Sequence, residues 1–387
     1  MVMDYGLTET QVMIRDLCRQ IAQDKIKPVR EKYDESSEFP WDIVNIFAEA
    51  DLFGIAIGED YGGMGGGVMD TVVAVEELCK VCGGVSLALF ATNLGTYPII
   101  LSGSEEQKKK YLPRIASGKS LAAFGLTEAE AGSDAGGIKT TATKDGNHYV
   151  LNGTKQWITN GGEAEIYTVI AMTNKAKGPR GASAFIVEKG TPGFTFGKKE
   201  NKMGIRGSMT RELIFQDCRI PAENLIAKEG MGFIVAMRTL DMSRPGVAAQ
   251  GLGIAAGALE EAIQYSRQRH QFGKPISSFQ GVQFMLADMA TQVEAARCLV
   301  YQSARYIDGG AKDIAKISAM AKVFASDVAM RVTTDAVQIL GGYGYMREYP
   351  VEKMMRDAKI TQIYEGTNQI QREVIALRLI KEAAQAQ

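Results

Sequence analysis

Histidine is nearly missing from this sequence of 387 residues: His148 and His270 are the only two. Neither lies near Cys79 and Cys82, the one close pair (C-K-V-C) among the cysteines, whose other members are Cys18, Cys218 and Cys298. A zinc site needs a second pair or histidines at set spacing, so no metal is expected. The thioredoxin-like context of a redox pair is absent as well, which leaves reduced, inert thiols at the end of a helix. Neither sign of charge is in excess: 44 Lys and Arg stand against 45 Asp and Glu, a net of −1. That balance offers no footprint for a nucleic acid or a membrane surface. No apolar run is read as reaching the roughly 18 residues of a membrane span. The opening residues, MVMDYGLTETQ, have neither a basic stretch nor an apolar one, so no signal peptide is expected and the cytoplasm is the default compartment. Internal repeats and low-complexity segments are also lacking.

What is present is an ordinary globular balance, 45% hydrophobic and 23% charged, in a chain too long for one core. Its texture changes twice, which predicts three domains: 1–119, 120–232 and 233–387. In the first, Thr8 with Gln11 three residues on is a capping-box pattern, and Met13, Leu17 and Ile21 share a helical face until Pro28 stops the run. A second helix is capped near Ser104 and punctuated at Pro113 and Gly118. The middle domain is a set of short β-rich runs parted by Gly, Pro and Asn, with Asn152-Gly153 read as a hairpin turn. An antiparallel, barrel-like β-domain is expected there. The last domain returns to long helices. Met285, Met289, Val293 and Val300 keep the helical repeat up to Asp308-Gly309-Gly310, and a second long run follows to Leu340. Long helices with short links predict a four-helix bundle. The fold class is thus mainly α with a central β-domain.

Several stretches carry a possible chemistry beside a plainer reading. FGLTEAEAGSDAGG, residues 124–137, is a loop of small residues whose backbone a ligand can approach closely, or simply a surface loop. GLGIAAG, residues 251–257, imitates a dinucleotide fingerprint but lacks the preceding strand, so helix packing through small residues is the reading. YGGMGGG, residues 61–67, lacks the Lys-Ser/Thr of a phosphate loop and reads as a flexible connection. SRQRHQFGKPISSFQ places Arg267, Arg269 and Lys274 around a turn that can hold a pyrophosphate, or forms a solvated basic helix end. TQIYEGTNQI sets Glu365 directly before Gly366. A carboxylate on a backbone-exposing turn suits removal of a proton α to a carbonyl, where the oxyanion must meet an N–H donor.

FGLTEAEAGSD, KQWITNGG, RQRHQFGKPISSFQ, and QILGGYGY leading into IYEGTNQIQR occur in this order, and together they resemble the acyl-CoA dehydrogenases, most closely the short-chain, butyryl-CoA type, its anaerobic bacterial members included. The likeness covers about residues 5–380 and implies that family's fold: α-domain, β-domain, α-bundle. It implies FAD, touched by Phe124, Leu126 and Thr127, with Trp157 and Thr159 at the isoalloxazine edge. Arg269, Gln280, Gln338, Gly341 and Gly342 would bind its phosphate and adenosine parts across a subunit interface, and Thr367 and Gln369 would also meet it. Ser133, Asp241, Ser243, Arg244 and Gly366 fall at substrate positions. Glu365 would be the base, with an upward-shifted pKa from burial beside the acyl chain. The implied reaction is α,β-dehydrogenation of a short- to medium-chain acyl-CoA to the trans-2-enoyl-CoA, with electrons passed to electron transfer flavoprotein from a homotetramer.

Some branches of that family place the base where this chain has Ser243, which cannot serve as one. Glutaryl-CoA members carry an arginine in the region matching residues 83–93, where none occurs here, so a dicarboxylic substrate is not expected. The family's usual proline after Thr-Glu is Ala129 here, followed by Glu130, a charge that would sit near the CoA entrance. An enoyl-CoA reductase or a dehydrogenase of cyclic or aryl acyl-CoA on the same scaffold remains the alternative. An acyl-CoA oxidase or a non-catalytic CoA- or flavin-binding module stands behind it.

Overall fold

The computed structural model describes residues 5–385. Its first third is helical: α1 (Glu9–Ile21), α2 (Arg30–Ser36), α3 (Trp41–Glu49), α4 (Val68–Cys79), α5 (Gly83–Ser102) and α6 (Glu105–Ala116). Thr8 starts α1 with both halves of its capping box formed, Gln11 N–H to Thr8 Oγ1 at 3.2 Å and Thr8 N–H to Gln11 Oε1 at 3.1 Å. The buried face of α1 is Ile14, Cys18 and Ile21, whereas Met13 is 71% exposed and Leu17 is also exposed. The expected face is therefore turned by one position, because Met13 and Leu17 share the same spacing as the true core residues. Ser104 caps α6 as expected, but Pro113 lies inside that helix, which runs on to Ala116. The loop of glycines at 61–67 is not a loose link. Gly63, Met64, Gly65 and Gly66 donate their amides back to Gly58, Gly54, Ile57 and Ile55, and a Cβ on Gly63 would meet the Ile57 carbonyl at 2.1 Å.

Helix α5 corrects another expectation. Its 20 residues carry no charge and are long and apolar enough by length and composition to cross a membrane. Most of that length is buried inside the protein, and it serves as the central helix against which the β-domain and the bundle pack.

Eight strands form the middle sheet: β1 (Ala122–Gly125), β2 (Thr141–Asp145), β3 (His148–Thr159), β4 (Ile166–Met172), β5 (Ala182–Glu188), β6 (Phe194–Lys199), β7 (Thr210–Pro221) and β8 (Leu225–Ile226). The order is β6-β7-β3-β2-β4-β5-β8, with β1 beside β4. The sheet is mixed rather than wholly antiparallel, since β1 runs parallel to β4 and β2 touches β4 in parallel at Thr141 and Met172. Asn152-Gly153 is not the hairpin turn; the turn of β2 and β3 lies at Gly146-Asn147. Gly153 instead sits at a register shift between β3 and β7, at φ +142°, where a Cβ would meet Thr140 Oγ1 at 2.6 Å. The same dipeptide chemistry that makes a turn also makes a bulge.

The last third comprises α7 (Gly232–Gln268), a small ribbon of β9 (His270–Gln271) and β10 (Lys274–Pro275), then α8 (Gln280–Asp308), α9 (Ala315–Leu340), α10 (Pro350–Thr361) and α11 (Asn368–Gln385). Among the described residues this part carries five helices, with α7, α8, α9 and α10 packed together and α11 laid against α9. The small residues of 251–257 do pack helix on helix: a Cβ on Gly253 would lie 2.4 Å from the Glu76 carbonyl, and one on Gly257 2.0 Å from that of Lys80. Helices α4 and α7 thus touch backbone to backbone.

Candidate active site

A cleft of about 400 Å³ opens where α5, the loop after β1, the end of β3, the start of α7 and the turn between α10 and α11 converge. Its wall brings together Phe124, Leu126, Thr127, Ser133, Trp157, Thr159, Arg244, Glu365 and Gly366. Apolar side chains from α5 (Leu87, Phe90, Leu94) and α7 (Phe233, Met237, Leu240) complete it. An apolar wall with a few converging polar groups is the form of a small-molecule site.

The loop after β1 is braced from beneath. Lys155, fully buried, donates to Leu126 O at 3.0 Å and to Glu128 Oε1 at 2.7 Å. Glu128 in turn accepts the amides of Lys139 and Thr140 at 2.6 and 3.0 Å, and the Gln156 amide reaches Thr127 O at 2.8 Å. Burial pushes Lys155 down to about 8 against the pull of Glu128. Glu130, exposed at the same loop, pairs with Lys139. Trp157 sits in a second bulge of β3, between Lys155 and Ile158, at φ +56°. The bulge turns the indole outward, 58% exposed at the rim of the cleft.

Glu365 lies on a sharp turn at φ +51°, and Gly366 follows at φ +90°. A left-handed conformation at a non-glycine residue costs roughly 1 kcal/mol or more, so the turn is held by its surroundings. Those surroundings are explicit: Gln371 Nε2 donates to Glu365 O at 3.1 Å and Gly366 O at 3.0 Å, and Lys322 Nζ donates to Gly366 O at 2.8 Å. The Ser243 hydroxyl donates to Glu365 Oε2 at 2.5 Å. Burial pushes the Glu365 carboxyl up to about 7, opposed by the Ser243 hydrogen bond and the Arg244 and Lys322 charges. The upward shift expected from the sequence is present. Arg244 is buried and ion-paired with Asp241, its neighbour one turn back on α7, while its Nε has no hydrogen-bond partner. Asp241 itself is raised by burial.

The remaining candidates lie elsewhere. Arg269, Gly341 and Gly342 line a separate open recess with Tyr265 and Tyr343, and the Arg269 guanidinium stands 5.4 Å from the Tyr343 ring centre. Nothing lies within 4 Å of where a Cβ on Gly341 or Gly342 would stand. Gln280 begins α8 and Gln338 is in the last turn of α9; both are exposed and outside the cleft. Thr367 caps α11, its hydroxyl accepting the Ile370 amide at 3.3 Å, and Gln369 is exposed. The lining residues therefore fall into two separate places, the cleft and the recess.

Residues of both kinds suit a flavin dinucleotide. The cleft offers an exposed indole, a loop of small residues and a buried guanidinium with an unpartnered N–H; the recess offers a cation beside uncovered glycine backbone. Lys322 is a neighbour of the site that the sequence does not single out, since one lysine in a long amphipathic run reads as solvated. Cys79 and Cys82 are buried and unpaired, and burial raises the Cys79 thiol. No group of three or more metal-ligating side chains occurs among the described residues.

Three family models match the chain end to end: acyl-CoA dehydrogenase N-terminal domain over 8–119, middle domain over 123–218 and C-terminal domain over 230–380. The solved structure of butyryl-CoA dehydrogenase from Megasphaera elsdenii is 51% identical, with a TM-score of 0.95 over 98% of this chain and 100% of that one. A chain from the structure describing the electron transferring flavoprotein of Acidaminococcus fermentans is 54% identical, with a TM-score of 0.95 over 97% and 99%. The acryloyl-CoA reductase (NADH) of Anaerotignum propionicum is 50% identical over 98% of this chain and 96% of its own.

Proposed function

This chain belongs to the acyl-CoA dehydrogenase family, and from that premise we propose that it desaturates a short- to medium-chain acyl-CoA to the trans-2-enoyl-CoA. The observation that carries the reading is Glu365: a carboxylate in an apolar cleft, raised to about 7, on a turn whose amide has no hydrogen bond to another described residue. A base poised near the working pH takes a proton most effectively. Glu365 removes the α-proton of the thioester. The Glu365 N–H meets the negative charge that develops on the thioester oxygen. Ser243 and Arg244 steady the carboxylate before it accepts the proton. Phe124, Leu126, Thr127, Trp157 and Thr159 hold the isoalloxazine side of FAD, and Arg269, Gln280, Gln338, Gly341, Gly342, Thr367 and Gln369 its remaining parts. When bound, FAD supplies the acceptor for the hydride from the β-carbon and passes the electrons on to electron transfer flavoprotein. The neighbouring Ser133 and Asp241 serve the CoA portion.

Support for short chains comes from the butyryl-CoA relative, and for the partner from the Acidaminococcus structure. We assign the working form as a cytoplasmic homotetramer. The 92% exposed Phe272 near the Arg269 recess supports a shared flavin site, and five unpaired cysteines suit a reducing compartment. The second reading, enoyl-CoA reduction by the reverse route, is favoured by the 50% identical acryloyl-CoA reductase. Anaerobic bleaching of the flavin by a panel from butyryl- to octanoyl-CoA, with cyclic, aryl and glutaryl thioesters, tests the proposal. Bleaching by a short acyl-CoA that disappears in Glu365→Gln supports it. Bleaching that survives the substitution assigns the base elsewhere.

A further inference from the structure

We propose that Lys322 is a positioning residue for this reaction, clamping the catalytic turn from behind and facing the Glu365 carboxylate with a buried positive charge. The inference rests on the assignment of Glu365 as base.

Lys322 lies in the middle of α9 with no exposed surface. A buried ammonium persists only where acceptors compensate its lost hydration. Its acceptors both belong to the segment that carries the base: Gly366 O at 2.8 Å and Asn368 Oδ1 at 2.9 Å. The Asn368 amide is itself fixed, since its Nδ2 donates to Ser326 Oγ at 2.9 Å and Asp327 Oδ1 at 2.7 Å. Its oxygen is thereby turned to Lys322. In a trans peptide the N–H points opposite its C=O, so holding Gly366 O behind the turn aims the Thr367 N–H away from Lys322. Gln371 does the same for the peptide between Glu365 and Gly366. The two side chains together keep a left-handed residue in place in front of the substrate cleft.

The charge acts on the base as well. Facing Glu365 are Ser243 and Arg244 from α7, Lys322 from α9 and Tyr97 from α5, with Tyr364 beside it on its own turn. Facing Lys322 are Glu365, Arg244 and Asp327. Of the groups that favour the ionised carboxylate, Arg244 is already paired with Asp241, whereas the Lys322 ammonium has no carboxylate within ion-pair distance. Burial brings Lys322 down to about 7, the value to which Glu365 rises, so the charges of the two depend on one another. A lysine that merely tied α9 to α11 through Asn368 would not need the Gly366 carbonyl, which belongs to the turn of the base.

The test is steady-state kinetics of the flavin-loaded enzyme across pH, with flavin content and melting temperature recorded in parallel. In Lys322→Met the acid limb of kcat/KM is expected to move up, because the ionised base has lost a positive neighbour. The kcat is expected to fall about 100-fold, the scale of a misplaced reacting group, with KM changed little. Lys322→Arg is expected to return the acid limb toward its parental position. An unmoved acid limb and parental kcat in Lys322→Met overturn the proposal. So does a loss that tracks melting temperature alone and is equal in the Met and Arg variants. If Lys322→Met does not fold, Asn368→Ala decides. It removes one of the two acceptors and should move the limb the same way; an unmoved limb overturns the proposal. Glu365→Gln run alongside separates the two levels. If it retains turnover, the base assignment falls and this inference with it; if it is inactive while Lys322→Met is parental, only the inference falls.

Discussion

Ser243 and Glu365 face each other at 2.5 Å, hydroxyl to carboxylate, across the gap between α7 and the α10–α11 turn. Ser243 stands where some branches of the family carry the base, and here its hydroxyl is the partner of Glu365. Ser243 therefore tunes an acid that it cannot replace.

Removal of that hydroxyl raises the base further. Ser243→Ala is expected to shift the acid limb of the pH–rate profile upward by about one unit, the worth of a hydrogen bond to a charged group. Activity at high pH should approach the parental value. The profile of kcat/KM between pH 5.5 and 9 reads this directly.

Glu365→Gln should lose about 10²–10⁴-fold in turnover. It should also melt differently with pH. The folded carboxyl is raised from its ordinary 4.5 to about 7, so its contribution to stability is present below about 4.5 and is lost as pH rises through 7. Glutamine does not titrate. Calorimetry should show the variant gaining on the parent over that window and holding a constant advantage above it.

Lys155→Met leaves Glu128 buried without its cation and should destabilise the protein by about 3–5 kcal/mol. A double substitution that also replaces Glu128 with Leu should recover much of this. Denaturant unfolding of the single and double variants measures the difference. Because the pair underpins Leu126 and Thr127, flavin retention should fall in the single variant.

Trp157→Ala presents the opposite case. The indole is largely exposed and packs little, so melting of the flavin-free protein should change by less than about 0.5 kcal/mol-equivalent. Flavin affinity should drop, and fluorescence titration with FAD tests it.

Gly257→Ala drives a methyl group into the Lys80 carbonyl, 2.0 Å away. Overpacking of a fixed backbone contact costs about 1–3 kcal/mol or more. Thermal unfolding of this variant should show a clear loss, whereas Gly281→Ala, which meets nothing within 4 Å, should not.

The sequence was informative where a local rule has one outcome. Thr8-Gln11 makes the capping box it spells, and Ser104 caps its helix, joined there by Gln107. The three-part order of helices, strands and helices followed from periodicity and turn residues. Legibility failed where one pattern serves two structures. Asn152-Gly153 makes a bulge instead of a turn, and the α1 spacing fits two adjacent faces of which Ile14, Cys18 and Ile21 win. At the cleft, Glu365 was legible because an acid before glycine on a helix-breaking turn needs a reason. Lys322 was not, because its burial depends on α11 returning over α9, a contact 46 residues away in sequence from Lys322 to Asn368. Likewise the separation of Arg269, Gly341 and Gly342 from the cleft is a matter of tertiary placement that spacing alone does not carry.

Asp357 on α10 accepts the amide of Ile205 from the β-domain at 2.6 Å, and α10 leads directly into the turn of Glu365. Trp157, which lines the same cleft, belongs to that same β-domain. The span from Glu365 to Trp157 is thus a dimension of the joint between two bodies, and neither body carries it alone. An alteration at the joint, far from any reacting atom, would be felt as a change in the width of the cleft.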